Sequence, residues 1–350
     1  MKMSKKDNRP VHFMVISTTG IGDALMGTPA LRALRESFPQ SRIHLLLHAK
    51  KRDLFRMNPH VDSLWEYRDN PIYRSYLGWK TRFIVYDHVL VFHANDDLWK
   101  ILRHLRYRDC YTRQKFHDPE RKVFSVETLA RHSIQKRLAL VERVGGRSTA
   151  NYRYELSVPE SQIRWAGERI QIWKGSNRAP LIGFQLGAND RFKCWPVEHF
   201  VELARRFRKA LGAHIFLNGA REDEDLISEF QRLYGSEGLS FNLEFTLMQS
   251  AAILRSCALF VSPDTGPMHM AIGLQVPLVA LFAPTAAEET GPLNYDRAAV
   301  IQKPPSCEPC LTRRCTDPIC MRQISVEEVF AASMRLLGWR SRHSNENCNV

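Results

Sequence analysis

The chain opens with an apolar run, a glycine turn, a helical stretch and a second apolar run, and past its midpoint the same pattern begins again. VHFMVIS (Val11 to Ser17) reads as a strand, TTGIGD as a turn, ALMGTPALRALRESF as a helical pattern closed by Pro39, and RIHLLLH as the next strand. Parallel neighbours need a long crossover, so strand, glycine loop, helix and strand in this order open a doubly wound parallel sheet. VDSLWEY and YDHVLVFHA read as further strands, and SVETLARHSIQKRLALVERVGG as one long helix ending in glycines. WKGSNRAP (Trp173 to Pro180) has the composition of a linker, after which LIGFQLGAN restarts the pattern as strand and loop. VEHFVELARRFRKALG, AHIFLNGA, REDEDLISEFQRLYG and LMQSAAILRSC then read as helix, strand, helix, helix. ALFVSPDTG, MHMAIGLQ and PLVALFAP read as strand, short helix, strand, before a last helix, VEEVFAASMRLLGW, and a polar tail expected to be disordered. With 350 residues, length also favours two domains. The expectation is an α/β chain with Rossmann-like domains at 1–172 and 178–323 and a final helix and tail over 324–350.

Fifty Lys and Arg against 37 Asp and Glu leave a net charge of +13, which attracts phosphates, nucleic acid or an anionic membrane face without choosing among them. The basic residues are spread out rather than gathered on one helix or aromatic strand, which argues against nucleic acid. The start, MKMSKKDNRPVHFMVIS, reads as a basic tail entering the first strand, because its apolar stretch is brief and no cleavage site follows. No run reaches the roughly 18 to 20 apolar residues of a spanning helix. A cytoplasmic protein is expected.

Three loops carry candidate chemistry. In TTGIGD, Gly20 and Gly22 open a helix start to a ligand, although the third glycine of a dinucleotide fingerprint would fall at Leu25. Asp23 either caps that helix or accepts a proton from an attacking hydroxyl. In LGANDRFKCWP, Arg191 and Lys193 suit a diphosphate or form a solvated basic loop, and Trp195 reads as packing. SPDTGPMHMA is the strongest local signal: Asp264 ends a strand, the N–H groups of Thr265 and Gly266 face an anion, and His269 lies about one turn into the helix, in the core or at the ligand. Acidic residues in GAREDEDL stand where a ribose-gripping carboxylate would. Cys307, Cys310, Cys315 and Cys320, spaced C-x2-C-x4-C-x4-C, are compact enough for a closed structural metal site, with reduced thiols as the alternative. Cys110, Cys194, Cys257 and Cys348 are scattered and read as reduced thiols.

TTGIGDALMGTPALRAL, FKCWPVEHF and SPDTGPMHMAIGLQVPLVALFAPT together resemble the heptosyltransferase family of lipopolysaccharide synthesis, in order and spacing, from about residue 12 to 335. That resemblance implies a GT-B fold, two facing Rossmann-like domains with the acceptor on the first and the nucleotide sugar on the second, and a last helix that crosses back. It implies an inverting glycosyltransferase moving heptose from ADP-heptose to a phosphorylated, lipid-linked core oligosaccharide at the anionic inner membrane surface, with no catalytic metal. Carried across, Asp23 is the base and Lys193 meets the donor phosphates. Asp264, Thr265, Gly266 and His269 form the donor loop, with Asp223 at the ribose and Glu224 as its rival. FKCW and PMHMA look closest to members that add a later, branching heptose. Cysteine clusters occur in relatives that modify protein serines and carry iron, so a structural zinc or iron, and a protein acceptor, are the alternative.

Overall fold

The computed structural model describes residues 9–94, 98–113, 117–307, 310 and 314–338. The basic start, the tail after residue 338 and Cys348 lie outside them. The chain divides into two compact units, Met1–Ser157 and Val158–Val350.

The first unit is a six-stranded sheet of β1 (His12–Ser17), β2 (Arg42–His48), β3 (Ser63–Tyr67), β4 (Val85–His93), β5 (Arg106–Thr112) and β6 (Val123–Ser125). All pairs are parallel, in the order β3-β2-β1-β4-β5-β6. Helices α1 (Ile21–Leu25), α2 (Thr28–Ser37), α3 (Arg52–Phe55), α4 (Pro71–Thr81), α5 (Leu98–Leu102) and α6 (Ser133–Arg143) belong to this unit. The expected single helix after TTGIGD is two. Pro29 has no N–H to give the Leu25 carbonyl four residues back, so the Thr28 hydroxyl donates to it instead at 2.7 Å. Between the two helices Gly27 lets the chain lie against Phe92: a Cβ there would stand 2.9 Å from the ring. The long helix expected from Ser125 begins only at Ser133. Val126 still donates to Thr112, continuing the sheet, and the His132 ring caps the helix by accepting from the Ile134 N–H at 3.2 Å.

The second unit repeats the plan with β7 (Leu181–Gln185), β8 (His214–Asn218), β9 (Leu239–Phe241), β10 (Leu259–Pro263), β11 (Leu278–Phe282) and β12 (Ala298–Gln302). They run parallel in the order β12-β11-β10-β7-β8-β9, the same winding as the first sheet. Its helices are α7 (Glu160–Lys174), α8 (Val197–Leu211), α9 (Glu224–Tyr234), α10 (Leu247–Arg255), α11 (Gly266–Gly273), α12 (Ala287–Thr290), α13 (Ile319–Arg322) and α14 (Val326–Leu336). Every residue of β7, β8, β10 and β11 is buried, as expected of strands covered on both faces. Helix α7 precedes the expected linker but packs on α10, and so groups with this unit; α14 packs on α8, β11 and β12. Among the described residues no helix is long and apolar enough to cross a membrane.

Candidate active site

In a doubly wound sheet the connections leave the first and fourth strands in opposite directions, which opens a crevice at their carboxyl ends. Here those strands are β1 and β4 in one unit and β7 and β10 in the other, and the singled-out loops follow β1, β7 and β10.

In the first unit a register shift between Ile16 and Ser17 sets Ser17 opposite His93, the last residue of β4. Thr18 donates its N–H to the His93 carbonyl at 3.0 Å, which fixes the ring beside the TTGIGD turn. Asp23 stands in the first turn of α1. Its Oδ2 accepts from the Thr19 hydroxyl at 2.9 Å and its Oδ1 from Arg137 Nη2 at 3.2 Å. Thr19 Oγ1 also lies 2.8 Å from His93 Nδ1. Since the one hydroxyl proton goes to Asp23, the imidazole must donate from Nδ1, leaving Nε2 with its lone pair 3.8 Å from Asp23 Oδ1. Burial holds His93 below the usual imidazole range, with Arg137, Arg113 and Lys51 pushing the same way and Asp23 opposing. Burial also lowers Lys51 to about 8 against the pull of Asp23, and Arg113 to about 10, helped by Arg137. Arg137, on α6, is fully enclosed, with burial lowering its pKa and Asp23 opposing. Gly20 is exposed at the mouth of the turn and Gly22 is buried within α1. A carboxylate that accepts two hydrogen bonds while about a quarter of its side chain remains open can still receive a proton from a ligand.

In the second unit Lys193 sits in the turn after β7 and Asp264 directly after β10. Lys193 Nζ meets Asp264 Oδ2 at 3.1 Å, Thr290 donates to Asp264 Oδ1 at 3.4 Å, and His269 Nε2 lies 4.0 Å from that oxygen. His269 is buried, tying the start of α11 to the end of β10. The Thr265 hydroxyl turns to Ser262 at 3.2 Å and does not cap α11, so the first-turn N–H groups, beginning at Gly266, have no side-chain cap. A helix start left in that state favours an anion. An ammonium with three donors can hold Asp264 and a phosphate oxygen together.

Asp223 accepts from the Ala220 N–H at 3.2 Å and from Gln185 Nε2 at 3.4 Å. Burial raises its pKa, and those two bonds with the charge of Arg191 oppose the shift. Its neighbour Glu224 is exposed. Gly187 lies against Asp223: a Cβ there would come within 1.8 Å of Oδ1, so the carboxylate would have to move. Arg191 donates from Nη2 to both oxygens of Asp225, at 2.9 and 2.8 Å, and that carboxylate raises the guanidinium's pKa. Trp195 is core, donating its indole N–H to the Ile324 carbonyl at 2.9 Å.

The cysteine cluster does not form the expected metal site. Cys320 is buried, Cys310 and Cys315 are partly covered and Cys307 is exposed. Among the described residues no three His, Cys, Asp or Glu side chains are gathered to hold a metal ion. A structural zinc or iron therefore has no support, and neither does the protein acceptor argued from it.

Thr19, Lys51, His93, Arg113 and Arg137 escaped sequence reading. The one usable signal was His93, the polar end of an apolar strand neighbouring the first.

The sequence family described as glycosyltransferase family 9 (heptosyltransferase) matches residues 116–319, more than half of the chain. Lipooligosaccharide heptosyltransferase 2 of Campylobacter jejuni is 24% identical over 326 residues, covering 91% of this chain and 96% of that protein. The glycosyl transferase family 9 structure from Veillonella parvula aligns with a TM-score of 0.79 at 22% identity, over 95% of this chain and 98% of that one. The structure of E. coli ADP-heptose lps heptosyltransferase II aligns at 0.75 and 22% identity, over 93% and 98%. The shared fold is GT-B.

Proposed function

The chain belongs to glycosyltransferase family 9, the heptosyltransferases, and from that premise we propose that it moves heptose from ADP-heptose onto a lipopolysaccharide core that already carries a heptose. It is a glycosyltransferase of lipopolysaccharide core synthesis. Support for the donor comes from the likeness to E. coli ADP-heptose lps heptosyltransferase II, and support for a step after the first heptose from the full-length likeness to a heptosyltransferase 2. An acceptor of this kind is lipid-linked, which makes the cytoplasmic face of the inner membrane the place of action.

In the proposed reaction Asp23 takes the proton of an acceptor hydroxyl as that oxygen attacks the anomeric carbon. The bond from that carbon to the diphosphate breaks, ADP leaves with the bonding pair, and the configuration inverts. Lys193 and the uncapped start of α11 take up the charge on the departing diphosphate, where Asp264 and His269 hold them. Asp223 receives a ribose hydroxyl. Lys51 and Arg113, close enough to feel the charge of Asp23, would attract a phosphorylated acceptor.

The observation that carries this reading is the carboxylate at the β1–β4 switch point, bonded to Thr19 and Arg137, together with Lys193, paired with Asp264 beside the uncapped start of α11, at the matching point of the second sheet. The test offers ADP-heptose, ADP-glucose and UDP-glucose with cores truncated before the first heptose, after it, or after the second. Mass gain of one heptose only with ADP-heptose and a heptose-bearing core is expected. Transfer only to the heptose-free core would overturn the proposed step, and turnover with another donor but not this one would overturn the donor.

A further inference from the structure

Helix α4 presents an unusual face. Only Leu77 and Thr81 are buried in it, while Ile72, Tyr76 and Trp79, spaced one turn apart, line its exposed side and Phe83 follows in the next turn. Ile72 and Phe83 are 82% and 81% exposed. Ten large hydrophobic residues are exposed among the described residues, and five of them (Ile72, Tyr76, Trp79, Phe83 and Val85) fall in this one stretch. Scattered apolar residues need no explanation, but a contiguous patch does.

The rings carry cations. The Arg82 guanidinium lies 4.6 Å from the centre of Trp79 and 4.3 Å from that of Phe83, and Lys80 Nζ is 5.9 Å from Tyr76 and 4.3 Å from Trp65 at the inner edge of the patch. Tyr76 and Trp79 stack at 6.0 Å. Arg106 donates to the Arg82 carbonyl at 3.1 Å, bringing one more charge to the edge. Residues 70–86 contain no Asp or Glu, and the carboxylates that flank the stretch are already paired, Asp69 with Arg74, Asp87 with Arg9 and Arg108, and Glu66 with Arg52 and Arg68.

We propose that this face of α4 and the turn after it dock the enzyme on an anionic bilayer, with Trp79 and Tyr76 at headgroup depth, Ile72 and Phe83 reaching the acyl region, and Lys80 and Arg82 on lipid phosphates. Amphipathic rings prefer that depth, and each nearby cation adds attraction to an anionic leaflet. Charge complementarity selects lipid over a protein partner: a ring face edged by cations and empty of acids matches a surface of phosphates. The patch is distinct from the transfer residues, and it draws on the proposed function only for a reason to be at a membrane.

The test is co-sedimentation of the full chain with phosphatidylethanolamine–phosphatidylglycerol vesicles and with phosphatidylcholine vesicles, together with light scattering in solution. The unaltered chain should bind the anionic vesicles and bind less as salt rises. The Trp79→Ala/Phe83→Ala pair should weaken binding by about tenfold or more. Lys80→Gln/Arg82→Gln should abolish the preference for anionic lipid. All four side chains are exposed, so melting temperatures should fall by no more than a few degrees, from loss of the contacts of Lys80 with the Trp65 ring and of Arg82 with the Trp79 carbonyl. Absent vesicle binding, equal binding by the ring variants, or a dimer of the parent that the ring variants dissociate would each overturn the proposal, the last assigning the face to a second copy. The vesicle measurement uses neither donor nor turnover. Failed transfer with intact docking would therefore count against the proposed reaction alone, and intact transfer to a delipidated core without docking against the patch alone.

Discussion

Asp23→Asn separates chemistry from stability at the first site. The amide cannot take a proton, so if Asp23 is the base, kcat should fall by about 10²–10⁴. The structural cost is bounded by what the carboxylate holds. Thr19 at 2.9 Å and Arg137 at 3.2 Å are among the groups that point at it, and one amide oxygen serves only one of these two donors well. Arg137 is fully enclosed, and although it also donates to the Ser133 carbonyl at 2.8 Å, a neutral carbonyl supplies no counter-charge, so the amide deprives that buried cation of the Asp23 charge. Removing one partner of a buried ion pair costs about 3–5 kcal/mol, and with Asp23 about a quarter open the low end, about 3 kcal/mol, applies. For a unit of this size that lowers the melting temperature by about 6–12 °C. The assay is single-turnover transfer from ADP-heptose at saturating acceptor, beside a thermal melt of the same sample. A variant whose kcat stays within about threefold of the parent would refute the base assignment, since no general base is worth so little. A melting loss far above that range would show Asp23 to be chiefly the counter-charge of Arg137.

Three further outcomes follow from the same geometry. Lys193→Ala should weaken ADP-heptose binding by roughly ten- to a hundredfold in calorimetry, the worth of a charge-assisted contact to phosphate, with Lys193→Arg intermediate. Gly187→Ala should reproduce Asp223→Asn in donor KM, because the new methyl occupies the place of Oδ1, and the double variant should be no worse than either single one; additive losses would separate the two residues. Acceptor KM should rise as pH climbs through about 8, where Lys51 loses its charge, and Lys51→Arg should remove that rise. Stability moves the other way: the folded lysine, lowered from 10.5 to about 8, binds fewer protons than the unfolded one across that window, so stability increases with pH there. A melting temperature that fell alongside activity would identify unfolding as the cause instead.

The strands were legible where both faces are buried, because continuous apolar runs such as RIHLLLH and PLVALFAP have few other readings. The edge was not. RYRDCYT, now β5, alternates charge with aromatic residues, and VFS, now β6, is three residues long, so neither gives a run to read. SVETLARHSIQ failed for a different reason: its composition suits a helix, but a hydrogen bond from Val126 to Thr112, distant in the chain, holds its start against the sheet. Asp23, Lys193, Asp223 and Asp264 could be singled out because they stand in loops directly after strands or at helix starts. Arg137 could not, since a buried arginine in the middle of a helix looks like a solvated one until the partner is known.

The duplication explains which residues had to be found in space. In each sheet the turn after the first strand was visible as a glycine-containing loop, TTGIGD or LGAND. Its partner comes from the end of the fourth strand, His93 in one unit and Asp264 in the other, 70 or so residues further on. Asp264 was readable because its strand runs into a proline and a glycine turn, whereas His93 ends YDHVLVFHA with no turn chemistry of its own. Sheet order is what makes the two equivalent: each is the end of the strand beside the first, at the point where the winding reverses. On that argument a change at His93 should act on the carboxylate of Asp23 through Thr19. His93→Gln, which keeps a donor at that position, should retain more activity than His93→Leu, and equal loss in the two would mean the ring serves packing rather than the Thr19 bond.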